Sequence, residues 1–312
     1  MSFTAQVKDE LSRVDASSRE VELAELSALV RVCGTLSFHG SGSYSIRVST
    51  ETGAVARTVI KSARNLFDLE TSLTVRRSVL HKTRNYLIEM PEQDHLSDDL
   101  MRLGILVPGH GLALGVPMAL LGSDAAVAAF VRGAFMAGGF VADPRGDFHL
   151  EIAVTGEDFA QGLIALIARL GATARLNRRR GSYAIYLKSF EDIIVLLDAM
   201  GAVRMALVVE AARAKKSIKN DVNRRVNAEI ANQARSVSAA ADQRYLIERA
   251  ERVLDVRSLP PVIRSFMVAR KNNPELSLAA LGEELDPPVS KSAMYHRLLR
   301  LQKLVEDAES EG

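Results

Sequence analysis

Two stretches of this 312-residue chain follow one plan, and that duplication narrows the folds open to it. The first copy opens with a helix ending in "LSALVRVCGTLS", followed by "SYSIRVST", "ARTVIKSARNLFDL", "SLTVRRSV", "NYLIEM" and "DHLSDDLMRLGIL". In "SYSIRVST", Tyr44, Ile46 and Val48 alternate with Ser45, Arg47 and Ser49, the period of two expected of a half-buried strand. The order is therefore helix, strand, helix, strand, strand, helix. The second copy repeats it: a helix over 124–140, then "DFHLEIAVT", "GEDFAQGLIALIARLG", "TARLNRR", "SYAIYLKS" and "FEDIIVLLDAMG". Gly34 and Gly139 mark the ends of the two leading helices. An α+β domain of two packed repeats accounts for this order.

Past Gly201 the strand signals stop. The stretch 204–235 holds eight basic residues (Arg204, Arg213, Lys215, Lys216, Lys219, Arg224, Arg225 and Arg235) against Glu210, Asp221 and Glu229. One or two basic helices are expected here, with "SVSAAAD" as the joint to a small helical module. The predicted organisation is thus an α+β domain over 1–203 (repeats about 1–110 and 120–203), a basic helical linker over 204–240 and an all-α domain over 241–312.

Cys33 is the single cysteine, so an internal disulfide and a thiolate zinc site are both excluded. His39, His81, His95, His110 and His149 lack ligand spacing, and no metal or cofactor is expected. The opening "MSFTAQVKDELSR" carries Asp9 and Glu10 and reads as an amphipathic helix, not a secretory signal. A membrane span over 112–142 is broken by Gly115, Pro117 and "GSD", where Ser123 or Asp124 caps the next helix. A cytoplasmic, nucleoid-associated protein is expected.

The most specific local pattern lies near the C-terminus. After "SLPPVIRSFMVAR", with Ser258 as expected cap, "LSLAALGEEL" places Leu278, Leu281 and Leu285 on one face. "SKSAMYHRLLRLQKL" does the same with Met294, Leu298, Leu301 and Val305. Asp286, Pro287 and Pro288 form the turn between them. This is helix-turn-helix spacing, in which the second helix enters a DNA major groove. Ser290, Lys291, Ser292, Tyr295, His296, Arg297 and Arg300 are the DNA-binding candidates, because arginine binds guanine bidentately while lysine, serine and a free helix N-terminus suit phosphate.

The stretch "FVRGAFMAGGFVADP" (130–144) and its counterpart around "LSALVRVCG" resemble the paired helices of the LAGLIDADG homing endonuclease scaffold. That resemblance implies two helices packed through small residues such as Ala28 and Gly133, flanked by sheets forming a saddle on DNA. It also implies an acid at each helix end to hold catalytic metal, and those positions fall on Cys33 and Gly138. Thiol and glycine cannot supply the hard oxygen ligands that magnesium needs. No catalytic residue and no nuclease activity are expected.

Across nearly all of its length the chain is similar to the WhiA family of bacterial transcription and cell-division regulators. The matching stretches are "ELSALVRVCGTLSFHG", "VRGAFMAGGFVADP", "DVNRRVNAEIANQARSV" and "LSLAALGEELDPPVSKSAMYHRLLRL". The resemblance implies a degenerate LAGLIDADG-like domain followed by a helix-turn-helix domain. It implies sequence-specific binding to double-stranded promoter DNA, roles in cell division, chromosome segregation and sporulation septation, and a WhiB-type iron-sulfur regulator as partner. The alanine- and arginine-rich composition points to an actinobacterial member. Two other readings stay open: an active metal-dependent endonuclease and a protein-docking scaffold.

Further DNA backbone contacts are expected from Lys215, Lys216, Lys219, Arg224 and Arg225. On the saddle, Arg175, Asn177 and Arg179 share one strand face, and Arg47 and Arg76 sit in strands of the first copy. Those saddle residues fit either DNA contact or a solvated outer face that blocks edge aggregation.

Overall fold

Each repeat begins with a helix whose last residue hands the chain directly to a strand. The computed structural model describes residues 1–40, 43–77, 84–109 and 111–311, and the chain forms two compact bodies, Met1–Lys216 and Ser217–Gly312. His81 and His110 lie outside the described residues. After α1 (Phe3–Leu11), the first repeat runs α2 (Arg19–Cys33), β1 (Gly34–Phe38), β2 (Tyr44–Thr50), α3 (Gly53–Phe67), β3 (Ser72–Arg77), β4 (Arg84–Met90) and α4 (Leu96–Arg102). A short hairpin, β5 (Leu106–Val107) and β6 (Gly111–Leu112), precedes the second repeat. That repeat is α5 (Asp124–Gly138), β7 (Gly139–Val141), β8 (Leu150–Val154), α6 (Glu157–Arg169), β9 (Arg175–Arg179), β10 (Ser182–Leu187) and α7 (Phe190–Met200).

The two antiparallel sheets have matching strand orders, β1-β2-β4-β3 and β7-β8-β10-β9. The edge strands β1 and β7 are absent from the sequence reading, which ran the second leading helix on to Phe140. Both are short and begin at a glycine, Gly34 or Gly139, where the backbone turns extended (φ −92° and −83°). Too few residues follow to show a period of two. Ser123 caps α5, its Oγ accepting from the Ala126 amide at 3.2 Å.

α2 and α5 pack against each other at the centre of this body. A Cβ on Gly133 would collide with the Glu25 carbonyl oxygen and stand 3.0 Å from the Ala28 methyl, so the helices approach as closely as a glycine allows. Seven residues before Gly34 and Gly139 stand Ser27 and Arg132. Ser27 Oγ donates to the carbonyl of Leu103 just beyond α4 (2.6 Å), and Arg132 Nη1 donates to that of Met200 at the end of α7 (3.3 Å). The repeats thus keep one tie, from leading helix to closing helix, with different side chains.

The last third departs from the sequence reading in two places. α8 (Val203–Val253) is one uninterrupted helix through 236–242, where "SVSAAAD" was expected to be the joint. Alanine is the best helix former, and Ala240, Gln243 and Ile247 are buried in the C-terminal body, so the segment has both the propensity and the packing to stay helical. The remaining helices are α9 (Pro261–Asn272), α10 (Leu278–Glu283) and α11 (Lys291–Glu311). Pro260, not Ser258, is the α9 cap, because Ser258 is taken up in a 3-10 turn over Val256–Ser258 and Pro261 enters at the first helical position. No helix among the described residues is long and apolar enough to cross a membrane.

Candidate nucleic-acid interface

Two serines set the helix-turn-helix. Ser277 Oγ accepts from the Ala280 amide (3.2 Å) and starts α10, and Ser290 Oγ accepts from the Ala293 amide (3.3 Å) and starts α11. Between them the Val289 amide donates to the Gly282 carbonyl at 2.9 Å and closes the turn. Leu281, Met294, Leu301 and Val305 are fully buried, which fixes the roll of α11 and leaves Lys291, Ser292, Tyr295, His296 and Arg300 exposed beside Ser290. No acid lies between Val289 and Leu304.

Arg297 departs from the expected outward set. It is half-buried, and its Nη1 donates to Ser265 Oγ on α9 at 3.3 Å. A second arginine, Arg270, was not singled out from the sequence. It is 1% exposed, donates through Nε to Gln243 Oε1 (3.0 Å) on α8 and through Nη1 to the carbonyls of Asn273 (3.1 Å) and Leu276 (2.5 Å). Burial lowers its pKa. The signal that could have found it is its place four residues after Phe266, on the apolar stripe of α9.

The basic helix divides in the same way. Lys215, Lys219, Arg224 and Arg225 are exposed on α8. Lys216 is engaged: its ammonium lies 4.4 Å from the centre of the Phe148 ring and donates to the Gly146 carbonyl, while Arg213 stands 4.2 Å over Phe190. Both contacts fasten the first turns of α8 to the second repeat, and the α8 N-terminus is capped by Glu10 of α1, which accepts from the Arg204 (2.8 Å) and Met205 (3.1 Å) amides.

On the sheets, Arg175, Asn177, Arg179, Arg47 and Arg76 are exposed as expected. Arg179 is bidentate to Glu151 (2.8 and 3.2 Å), and Arg47 pairs with Glu89 at 3.0 Å. Burial works to raise the Glu151 carboxyl, but hydrogen bonds from Arg179 and His149 outweigh it and hold the pKa below its ordinary value. Arg175 and Arg76 form no ion pair among the described residues.

Cys33 and Gly138, the positions that the LAGLIDADG resemblance assigns to metal-binding acids, are the last residues of α2 and α5. The Cys33 thiol donates to the Leu29 carbonyl (3.1 Å), and burial pushes its pKa up to about 12, so it keeps its proton at neutral pH. A side chain at Gly138 would run into the Ala153 carbonyl oxygen and come within 2.8 Å of Val32 Cγ1. The cleft beside Gly138 instead holds Lys8, whose pKa burial lowers, with Cys33 and Glu51 partly offsetting that. Among the described residues, no group of three or more His, Cys, Asp or Glu side chains is placed to hold a metal.

Known proteins match this chain along its length. The sequence matches the WhiA N-terminal LAGLIDADG-like domain over residues 19–106, the WhiA LAGLIDADG-like domain over 127–219 and the WhiA C-terminal HTH domain over 222–305. It is 37% identical over 316 residues to the "Probable cell division protein WhiA" of Clostridium novyi (strain NT), covering 100% of both chains. It is 37% identical over 313 residues to the protein of the same name from Heliobacterium modesticaldum, covering 100% of this chain and 98% of that one. The crystal structure of full-length WhiA from Thermatoga maritima aligns with a TM-score of 0.61 at 25% identity over 99% of each chain. Both relatives come from Firmicutes, so the comparisons do not support the expected actinobacterial placement. The chain belongs to the WhiA family, with LAGLIDADG-like repeats followed by a helix-turn-helix domain.

Proposed function

We propose that this protein is a sequence-specific DNA-binding transcription regulator of cell division, with roles in chromosome segregation and sporulation septation, and that it does not cut DNA. The observation that carries the reading is the exposed face of α11 from Lys291 to Lys303, which holds no acid. Lys291, Tyr295, His296 and Arg300 line it, beside a helix N-terminus whose serine cap leaves further amides for phosphate. Lys215, Lys219, Arg224 and Arg225 add sequence-independent attraction to the backbone. The full-length relatives share the name of a cell division protein. Family resemblance adds a WhiB-type iron-sulfur protein as partner at shared promoters and the cytoplasmic nucleoid as the place of action.

The absence of cleavage is supported by Gly138, where no acid fits, and by the neutral Cys33 thiol. On the sheets, Arg47 and Arg179 are each paired with an acid, and these partly exposed pairs are weak enough to leave both DNA contact and protein docking open to that surface. Footprinting on a bound promoter tests the reading: Lys291→Ala and Arg300→Ala should each weaken protection, and magnesium or manganese should produce no cut. An unchanged footprint would remove α11 from the interface, and chelator-sensitive cutting would establish an endonuclease.

A further inference from the structure

The middle of α8 carries an apolar row that no other described residue covers. Ile218, Val222, Val226 and Ile230 are 67%, 53%, 46% and 60% exposed, and all described residues over 217–235 are exposed with them. Single exposed apolar side chains are ordinary, but these four form one ridge at steps of four along the helix. β-branched residues are also poorer helix formers than the alanine, lysine and glutamate around them, so nothing about a solvated helix selects them here.

The row reads the same from both ends: Ile, Val, Val, Ile. A two-fold interface requires this kind of self-complementarity, because one patch serves both partners. Set a second helix about a two-fold axis passing between Val222 and Val226, perpendicular to the ridge. Val222 then lies beside Val226 of the second copy, and Ile218 beside its Ile230. Packing of such i±4 ridges crosses the helices at about −50°, so the chains diverge on either side of the contact.

The flanks agree with this register. One carries a parallel row, Asp221, Arg225 and Glu229, alternating in sign. The same rotation brings Arg225 beside Glu229 of the second copy, and does so twice. The other flank carries Lys219, Asn223 and Asn227, which places amides near the axis and no acid against an acid.

We propose that α8 is a self-association helix, through which two copies of this chain cross antiparallel on the Ile218–Ile230 row. One helix crossing is smaller than the roughly 800 Å² per partner of a stable interface, so the dimer is concentration-dependent and not obligate. The proposal stands without the DNA-binding reading and is tested in the absence of DNA.

Sedimentation equilibrium on the full-length protein should show a monomer–dimer equilibrium. Val226→Glu, a substitution at an exposed position that leaves the circular dichroism spectrum unchanged, should raise the dimer Kd by about tenfold or more. Arg225→Glu should weaken the dimer by setting one carboxylate against another, that of Glu229 of the second copy, and the swap Arg225→Glu with Glu229→Arg should restore it. A wild-type chain that stays monomeric at every concentration would overturn the proposal and leave the row to a different partner. So would a Val226→Glu variant with an unaltered Kd, or a swap that fails to recover what Arg225→Glu loses.

Discussion

Arg132 on α5 grips Glu25 on α2 with two bonds, Nη2 to Oε2 at 2.7 Å and Nε to Oε1 at 3.1 Å, and both side chains are only 5–6% exposed. The pair joins the two repeats at their shared axis, and Arg132 spends a third donor on the Met200 carbonyl. A charge left alone there has no water to turn to. Arg132→Met or Glu25→Ala should therefore cost about 3–5 kcal/mol in urea unfolding of the N-terminal body, while replacing both with apolar residues should recover much of the loss. A double substitution as damaging as either single one would show that the pair's fit, and not its charge balance, is what matters.

An acid introduced at position 138 should not create a metal site. Gly138→Asp places a side chain against the Ala153 carbonyl and Val32, so we expect destabilisation of about 1–3 kcal/mol and no gain in manganese binding by titration calorimetry. A stable, metal-binding Gly138→Asp protein would mean that the scaffold lost its acid without repacking around the loss.

Cys33 should be inert while the protein is folded. Its pKa lies near 12, so thiolate is scarce at neutral pH and iodoacetamide should modify it far more slowly than in the urea-unfolded chain. The unfolded thiol ionises from about 8.5, whereas the folded one keeps its proton. Any stability it contributes is whole below that pH and is lost as pH rises toward about 12. The difference between wild type and Cys33→Ser should shrink over that window. A difference that is flat from pH 8 upward, at about the ordinary thiol value, would place the thiol in water.

Arg297 and Arg300 should separate by readout. Arg300 is exposed, so Arg300→Ala should weaken promoter binding by about 1–3 kcal/mol if it meets a base, without changing the melting of the C-terminal body. Arg297 is bonded to Ser265, so Arg297→Ala should lower that melting temperature as well. Equal thermal behaviour of the two variants would return Arg297 to the DNA-facing set.

Most of the duplicated plan was legible because its elements are long enough to carry a period. "SYSIRVST" shows alternation over a full strand, and the apolar spacing of "SKSAMYHRLLRLQKL" fixes which side of α11 is buried. β1 and β7 escaped notice because each is a short run starting at the glycine that ends a helix. The engagement of Lys216 by Phe148 and of Arg297 by Ser265 was invisible for another reason. A basic residue looks the same in sequence whether it faces solvent or is held by a partner far along the chain. Cys33 and Gly138 were readable as missing acids, but only the fold shows that Gly138 has no room for one.

The central claim is that α11 finds the DNA. Genome-wide chromatin immunoprecipitation of the intact protein and of the Lys291→Ala, Arg300→Ala double variant tests it most directly. The intact protein should give discrete promoter peaks that disappear in the variant at equal protein level. The same peaks in both would contradict it.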